Sequence, residues 1–213
     1  IIILFYCVPC LLYDFLGLRT LTVIQKARDA IKQNYNAEVT FDYQDPSVFQ
    51  YISTGQTDGI FQLESSGMKS FMRQLKPQNL EDLIAGISLY RPGPMDFIPK
   101  YISGKADPAS ITYEIPQLKE ILGPTYGCII YQEQVMQIVR ALAGYNYGRA
   151  DLVRRAMSKK KSKVKEDERK VFLSGNEHVK GCISNGIPED AANRIFDQMI
   201  DFAKYAFNKS HAT

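Results

Sequence analysis

Two arginines, a lysine triplet and four further basic residues crowd the stretch VRRAMSKKKSKVKEDERK, residues 153–170. Held on a helix, such side chains can grip phosphate oxygens through forked, charge-assisted hydrogen bonds, so the chemistry on offer is polyanion binding. Nine basic and three acidic residues stand between 154 and 170, against 26 Lys+Arg and 23 Asp+Glu in the whole chain. The net charge of +3 is therefore local, and the remaining sequence is acidic by three. A concentrated field of this kind draws nucleic acid, nucleotide or acidic lipid, while a solvated helix face explains the same charges with no ligand at all.

At about 100° per residue, Leu152, Val153, Ala156 and Met157 cover one side of a helix. Arg154, Arg155, Ser158, Lys159 and Lys161 cover the other, which predicts an outward basic face anchored by an apolar stripe. Glu166, Asp167 and Glu168 then dilute the charge, so the chain from Lys163 onward reads as an ordinary exposed helix.

Asp14 is a different candidate. It stands among Leu12, Tyr13, Phe15 and Leu16, where a carboxylate is costly unless it meets a cation or a donor. Arg19 or solvent at a strand end satisfies it; so does a divalent metal, but that wants further carboxylates and none is near in sequence. Arg91 in LYRPGPMDFIPKY is held extended by Pro92 and can face a ligand, though a helix stop explains the motif equally. Glu133 and Gln134 in YQEQVMQIVR, and Glu64 in FQLES, suit helix N-termini. Near the end, YAFNKSH gathers Tyr205, Asn208, Lys209 and His211. Aromatic and cation suit a base and a phosphate, and a core residue beside a frayed end suits them too. His178 falls in a loop. There is no Gly-rich phosphate loop, Ser/His/Asp spacing or zinc pattern.

The elements that must position these residues are mostly helical. A short buried strand over Leu11–Leu16 and a break at Gly17 precede a helix from Arg19 to about Asn34, with Leu21, Ile24, Ala27 and Ile31 at helical spacing. Asp45-Pro46 caps a helix through Tyr51, and helices follow over Glu64–Leu75 and Leu80–Tyr90, the latter capped by Asn79 and stopped by Arg91-Pro92-Gly93-Pro94. A short strand is expected over Gly127–Tyr131. Helices are then expected over Gln132–Ala143, Gly148–Ser158, Lys163–Ser174 and Pro188–Ala206, the last with Ala192, Ile195, Phe196, Met199, Phe202, Ala203 and Ala206 as a core stripe. No repeat or low-complexity linker divides the chain.

With 213 residues, 45% of them hydrophobic and 11% aromatic, the chain can bury a real core. Four scattered cysteines do not make a disulfide framework and point to a reducing cytoplasm. The opening IIILFYCVPCLL is too short for a membrane span and lacks the marks of a signal peptide; Cys7 and Cys10 have C-x-x-C spacing with no second pair and no nearby His.

Taken together, DFLGLRTLTVI (14–24), GIFQLESSGMKSFM (59–72), LYRPGPM (89–95), PTYGCIIYQEQVMQI (124–138), RADLVRRAMSKKK (149–161) and FAKYAFNKSH (202–211) closely resemble the alpha subunit of bacterial DNA polymerase III, the C-family replicative polymerases. The blocks keep the family's order and span residues 13–212.

The resemblance implies a mainly α fold, a helical fingers domain over 19–213 preceded, within 1–18, by a terminal strand of a polymerase-beta-like nucleotidyltransferase palm. Family palms hold two magnesium ions on three aspartates; the third matches Asp14, which becomes the expected catalytic and metal-binding residue. Arg154 and Arg155 match the helix facing the incoming nucleotide's triphosphate, with Lys209 and His211 as further nucleotide contacts and Lys159, Lys161 and Arg91 as DNA or phosphate contacts. The implied reaction is two-metal transfer of a deoxynucleotide to a primer 3′-hydroxyl. Primer-template DNA and deoxynucleoside triphosphates are the implied partners, with a sliding clamp and replisome subunits engaging other regions.

The family's Pro-Asp-x-Asp pattern has no match here, Leu12 stands where members usually carry lysine, and the similarity fades over 1–12. The sequence therefore reads as an internal fragment, 1–12 misread and the fingers cut short, unable to polymerise alone with one carboxylate for two metals. The competing readings are a non-catalytic helical nucleic-acid-binding module and a membrane-anchored redox protein using Cys7 and Cys10.

Overall fold

The computed structural model describes residues 2–6, 11–15, 19–158, 162–203 and 205–212, the first two segments as backbone alone. Strands β1 (Ile2–Tyr6) and β2 (Leu11–Phe15) pair antiparallel, with Asp14 opposite Ile3. Eleven helices follow among the described residues: α1 (Arg19–Tyr35), α2 (Pro46–Ser53), α3 (Ser66–Leu75), α4 (Leu80–Leu89), α5 (Ile98–Ala106), α6 (Leu118–Leu122), α7 (Gln132–Ala143), α8 (Tyr147–Ser158), α9 (Ser162–Ser174), α10 (Glu189–Ala203) and α11 (Lys209–Ala212). The mainly helical expectation holds.

Local chemistry explains the boundaries. The Asp45 carboxylate caps α2 by accepting from Ser47 N at 2.9 Å, with Pro46 in the first turn; Ser65 Oγ caps α3 through Met68 N at 3.2 Å, so that helix starts later than Glu64. Asn79 Oδ1 caps α4 through Asp82 N at 2.9 Å, and Arg91-Pro92 ends it as expected. Helices α5 and α6 escape the sequence reading because they are short and, in α5, carry Gly104 and a proline in the first turn.

Two apolar clusters form the core. Ile52, Met72, Leu75, Ile84, Leu89 and Tyr101 gather between α2 and α5; Val135, Ile138, Val153, Met157, Phe172, Phe196 and Met199 gather between α7 and α10. Each fully buried side chain of this size contributes about 2 kcal/mol. Phe97 packs on both clusters, its ring 4.1 Å from that of Phe202. Segment 128–131 also joins them, sending Cys128, Ile130 and Tyr131 into the first and Ile129 into the second.

That segment was expected to be a strand. It forms only a single bridge, Tyr131 with Phe207, because the side chain of Gln134 accepts the Ile130 and Tyr131 N–H groups at 2.8 and 3.0 Å. A ladder needs those donors. Burial pushes the Cys128 thiol up to about 11 and that of Cys182 up to about 12, so both stay protonated as core residues.

Helix α1 departs in another way. Its stripe of Leu21, Ile24, Ala27 and Ile31 includes no buried residue, with Leu21 41% exposed and Ile24 40%. No helix among the described residues is long and apolar enough to cross a membrane.

Candidate functional site

The N-terminal turn of α7 is where sequence-distant candidates converge. Gln132 Oε1 accepts from Arg154 Nη1 of α8 at 2.9 Å, and Gln132 Nε2 donates to the Ala206 carbonyl at 3.0 Å. Beside this, Gln132 N donates to Phe207 O at 2.9 Å and Phe207 N to Ile130 O at 3.0 Å, seating the 205–212 segment along α7. The Glu133 carboxylate accepts from Lys209 N, both oxygens at 3.3 Å, while Lys209 Nζ reaches Glu81 of α4 at 2.7 Å and lies 5.5 Å from the Tyr131 ring centre.

The same segment shows α10 ending short of the expected Ala206, with a turn at Tyr205. Tyr205 N and Ala206 N both turn back to the Phe202 carbonyl, at 2.8 and 2.7 Å, and the chain leaves for its bridge with Tyr131. Arg91 holds the other side of the turn. Its Nη2 donates to Tyr205 O at 2.7 Å, its Nε to Ser88 O at 3.1 Å, and its guanidinium lies 4.3 Å over the Phe207 ring. Gly93, at φ +101°, passes so close that a Cβ would sit 2.7 Å from the Tyr205 ring, a place only glycine fits. The His211 ring lies 5.5 Å from Phe207, tilted against it.

Helix α8 presents its two arginines differently. Ala150, Val153 and Met157 are fully buried, whereas Leu152, expected in the apolar stripe, is 58% exposed. Counting Ala150 in the buried arc rotates its centre, so that Arg154 stands about 70° from it and Arg155 about 165°. The side-chain exposures follow, 20% for Arg154 and 64% for Arg155. Both share one carboxylate: Arg154 Nε and Nη2 donate to Asp151 Oδ1 at 3.0 and 2.7 Å, and Arg155 Nε to Asp151 Oδ2 at 2.7 Å. Arg154 thus commits three of the five N–H donors of a guanidinium to protein partners.

Burial pushes the Glu133 carboxyl above its ordinary range, and Arg154 and Lys209 offset this only in part. Burial alone pulls the Arg91 guanidinium below its ordinary value. Two buried polar atoms at this junction, Tyr131 Oη and Asn208 Oδ1, have no hydrogen-bond partner among the described residues. A cavity of about 620 Å³ lined by Gln117, Glu120, Gln137, Arg140 and Tyr145 shares no residue with the convergence.

The structure therefore brings Arg91, Arg154, Lys209 and His211 to one place, with Arg155 on the adjoining surface of α8. Lys159, Lys161, Cys7, Cys10 and the side chain of Asp14 lie outside the described residues. Gln132, Glu81 and Asp151 were not singled out from the sequence, although Asp151 precedes the arginines by three and four positions, the spacing of a helical ion pair.

Basic and acidic side chains are thus paired around a helix N-terminus on a body of short helices, and similarity to known proteins gives the class. The family described as bacterial DNA polymerase III alpha subunit finger domain matches residues 20–180, and the chain belongs to it. The DNA polymerase III subunit alpha of Thermus aquaticus is 48% identical over 207 residues, covering 93% of this chain and 16% of that protein. The DNA polymerase III subunit alpha of Staphylococcus aureus strain MRSA252 is 46% identical over 202 residues, covering 93% of this chain and 18% of that protein. The chain spans less than a fifth of the length of either relative.

Proposed function

We propose that residues 19–213 act as the fingers of a bacterial replicative DNA polymerase, and that the turn at Gln132–Glu133 with Arg154, Arg155, Lys209 and His211 receives the triphosphate of an incoming deoxynucleotide. The observation that carries this reading is the convergence of α7, α8 and the 205–212 segment on that turn. Arg154 arrives with its guanidinium fixed on one edge by Asp151 and at Nη1 by Gln132, leaving two N–H donors for a phosphate oxygen. Arg155 and Lys209 exchange carboxylate partners, the half-exposed Asp151 and the exposed Glu81, for phosphate, and the cations offset charge developing on the leaving pyrophosphate. The ring of His211 beside Phe207 offers a flat surface for the nucleotide. Arg91 supports the site by fixing Tyr205 and Phe207, and Lys159 and Lys161 are the proposed contacts to DNA phosphates.

Residues 1–18 are the proposed end of the palm, with Asp14 supplying one carboxylate to a magnesium site. Among the described residues no three His, Cys, Asp or Glu side chains gather to hold a metal, so the other ligands must come from elsewhere in the polymerase. Asp14 would hold magnesium together with carboxylates from elsewhere in the polymerase, and the ion would supply activation of a hydroxyl nucleophile and neutralisation of phosphate charge. The 213-residue chain on its own is accordingly expected not to extend a primer. The proposed setting is cytoplasmic, on primer-template DNA, with the clamp and other replisome subunits engaging other parts of the polymerase.

The test is a titration of the chain with dATP, with tripolyphosphate as competitor. Micromolar-to-millimolar nucleotide binding, displaced by tripolyphosphate and weakened roughly tenfold by Arg154→Ala, supports the reading. Salt-sensitive duplex binding with no nucleotide affinity would instead favour a simple nucleic-acid-binding module.

A further inference from the structure

Gln132 uses every polar group of its side chain, and its backbone N–H, on two different parts of the site. Its side-chain oxygen takes the Arg154 Nη1 donor at 2.9 Å, its side-chain nitrogen gives to Ala206 O at 3.0 Å, and its backbone N–H gives to Phe207 O at 2.9 Å. The amide's orientation is fixed by these neighbours, since a guanidinium can only donate and a carbonyl can only accept. Lys209 stands two residues beyond Phe207 and is held by Glu133, the next residue of α7. The aim of Arg154 and the seat of Lys209 thus depend on the same helical turn.

We propose that Gln132 is a positioning residue that couples Arg154 to Lys209, so that the two cations act on a bound polyphosphate as one unit. The inference rests on the phosphate-site reading above. It explains why an amide stands here: a carboxylate keeps the bond to Arg154 but sets a negative oxygen against the Ala206 carbonyl, and a methionine of similar length keeps neither bond. The substitution Gln132→Glu should therefore hold the arginine and, by losing the side-chain bond to Ala206 O, loosen the 206–209 segment, which its backbone bonds still seat.

Inorganic tripolyphosphate is the probe, titrated calorimetrically into the 213-residue chain and its variants. In the otherwise unchanged chain, Arg154→Ala and Lys209→Ala should each weaken binding, and the loss in the double variant should fall short of the product of the single losses by roughly threefold or more. On a Gln132→Glu background, Arg154→Ala should still weaken binding while Lys209→Ala changes it by less than about twofold. Gln132→Met should also abolish the non-additivity, with thermal melts confirming that each variant is folded. A Lys209→Ala loss that is the same on the Gln132→Glu background as in the unchanged chain overturns the coupling alone. Unchanged affinity in the single variant Arg154→Ala overturns the phosphate site and the coupling with it.

Discussion

Helix α8 carries two kinds of arginine, one turn and a half apart. Arg149 forks onto Glu168 of α9 through Nη2, at 2.8 and 2.6 Å, and Glu168, 6% exposed, also takes the Tyr145 hydroxyl at 2.9 Å. Arg154 and Arg155 instead share Asp151, whose side chain is 31% exposed. A buried acid satisfied in this way has nothing better to bind, so Arg149 is committed to holding α8 on α9. A half-exposed acid shared by two cations yields to an incoming anion at less cost than a buried one, so the far end of the helix is left more exchangeable. The same residue type thus builds the scaffold at one end and lines the proposed binding surface at the other, and burial of the partner carboxylate separates the two.

The largest expected effect breaks the first half of that contrast. Arg149→Ala leaves Glu168 buried without its cation and should cost about 3 kcal/mol in urea unfolding, while Asp151→Ala should cost less than about 1 kcal/mol. Equal costs for the two would erase the distinction. Next in size is a stability test in the other core: Lys105 Nζ lies 2.8 Å from Asp82, which is 2% exposed, so Lys105→Met should also lower the unfolding free energy by roughly 2–3 kcal/mol, without altering tripolyphosphate affinity.

A smaller effect sharpens the second half. Because burial raises the Glu133 carboxyl, the folded chain holds that proton more tightly than the unfolded chain does. Its contribution therefore favours folding at pH below the ordinary carboxyl range and is lost as pH rises through the raised value. In the proposed site the protonated form removes a negative charge beside Arg154 and Lys209. Glu133→Gln should thus bind tripolyphosphate about threefold to fivefold more tightly at neutral pH, and the difference from the unchanged chain should shrink as pH falls through that range. A constant difference across pH would remove Glu133 from the site.

Much of the scaffold was legible because it is local. Asp45, Asn79 and the Arg91-Pro92 stop each act within a few residues, and α7 begins at Gln132 and ends at Ala143 where the apolar spacing places it. The strand expected over Gly127–Tyr131 failed for a reason no window shows: Gln134 turns back and takes the N–H groups that pairing needs. Leu152 was misplaced because Ala150, a small residue with a weak apolar signal, sets the centre of the buried arc of α8. The candidate arginines, Lys209 and His211 stood out from charge and spacing, and a family resemblance supplied their expected nucleotide roles. Gln132 was not, since a glutamine at the start of a helix carries no signal until Arg154 and the Ala206 carbonyl, 22 and 74 residues away, are placed beside it.

The contrast between the two ends of α8 can be read directly by following the arginine Nε–H resonances of the 213-residue chain during titration with tripolyphosphate. Arg154 and Arg155 should shift with a common saturation curve while Arg149 stays in place. A shift of Arg149 as large as theirs, or stationary signals from Arg154 and Arg155, would contradict the assignment of that end of the helix to phosphate.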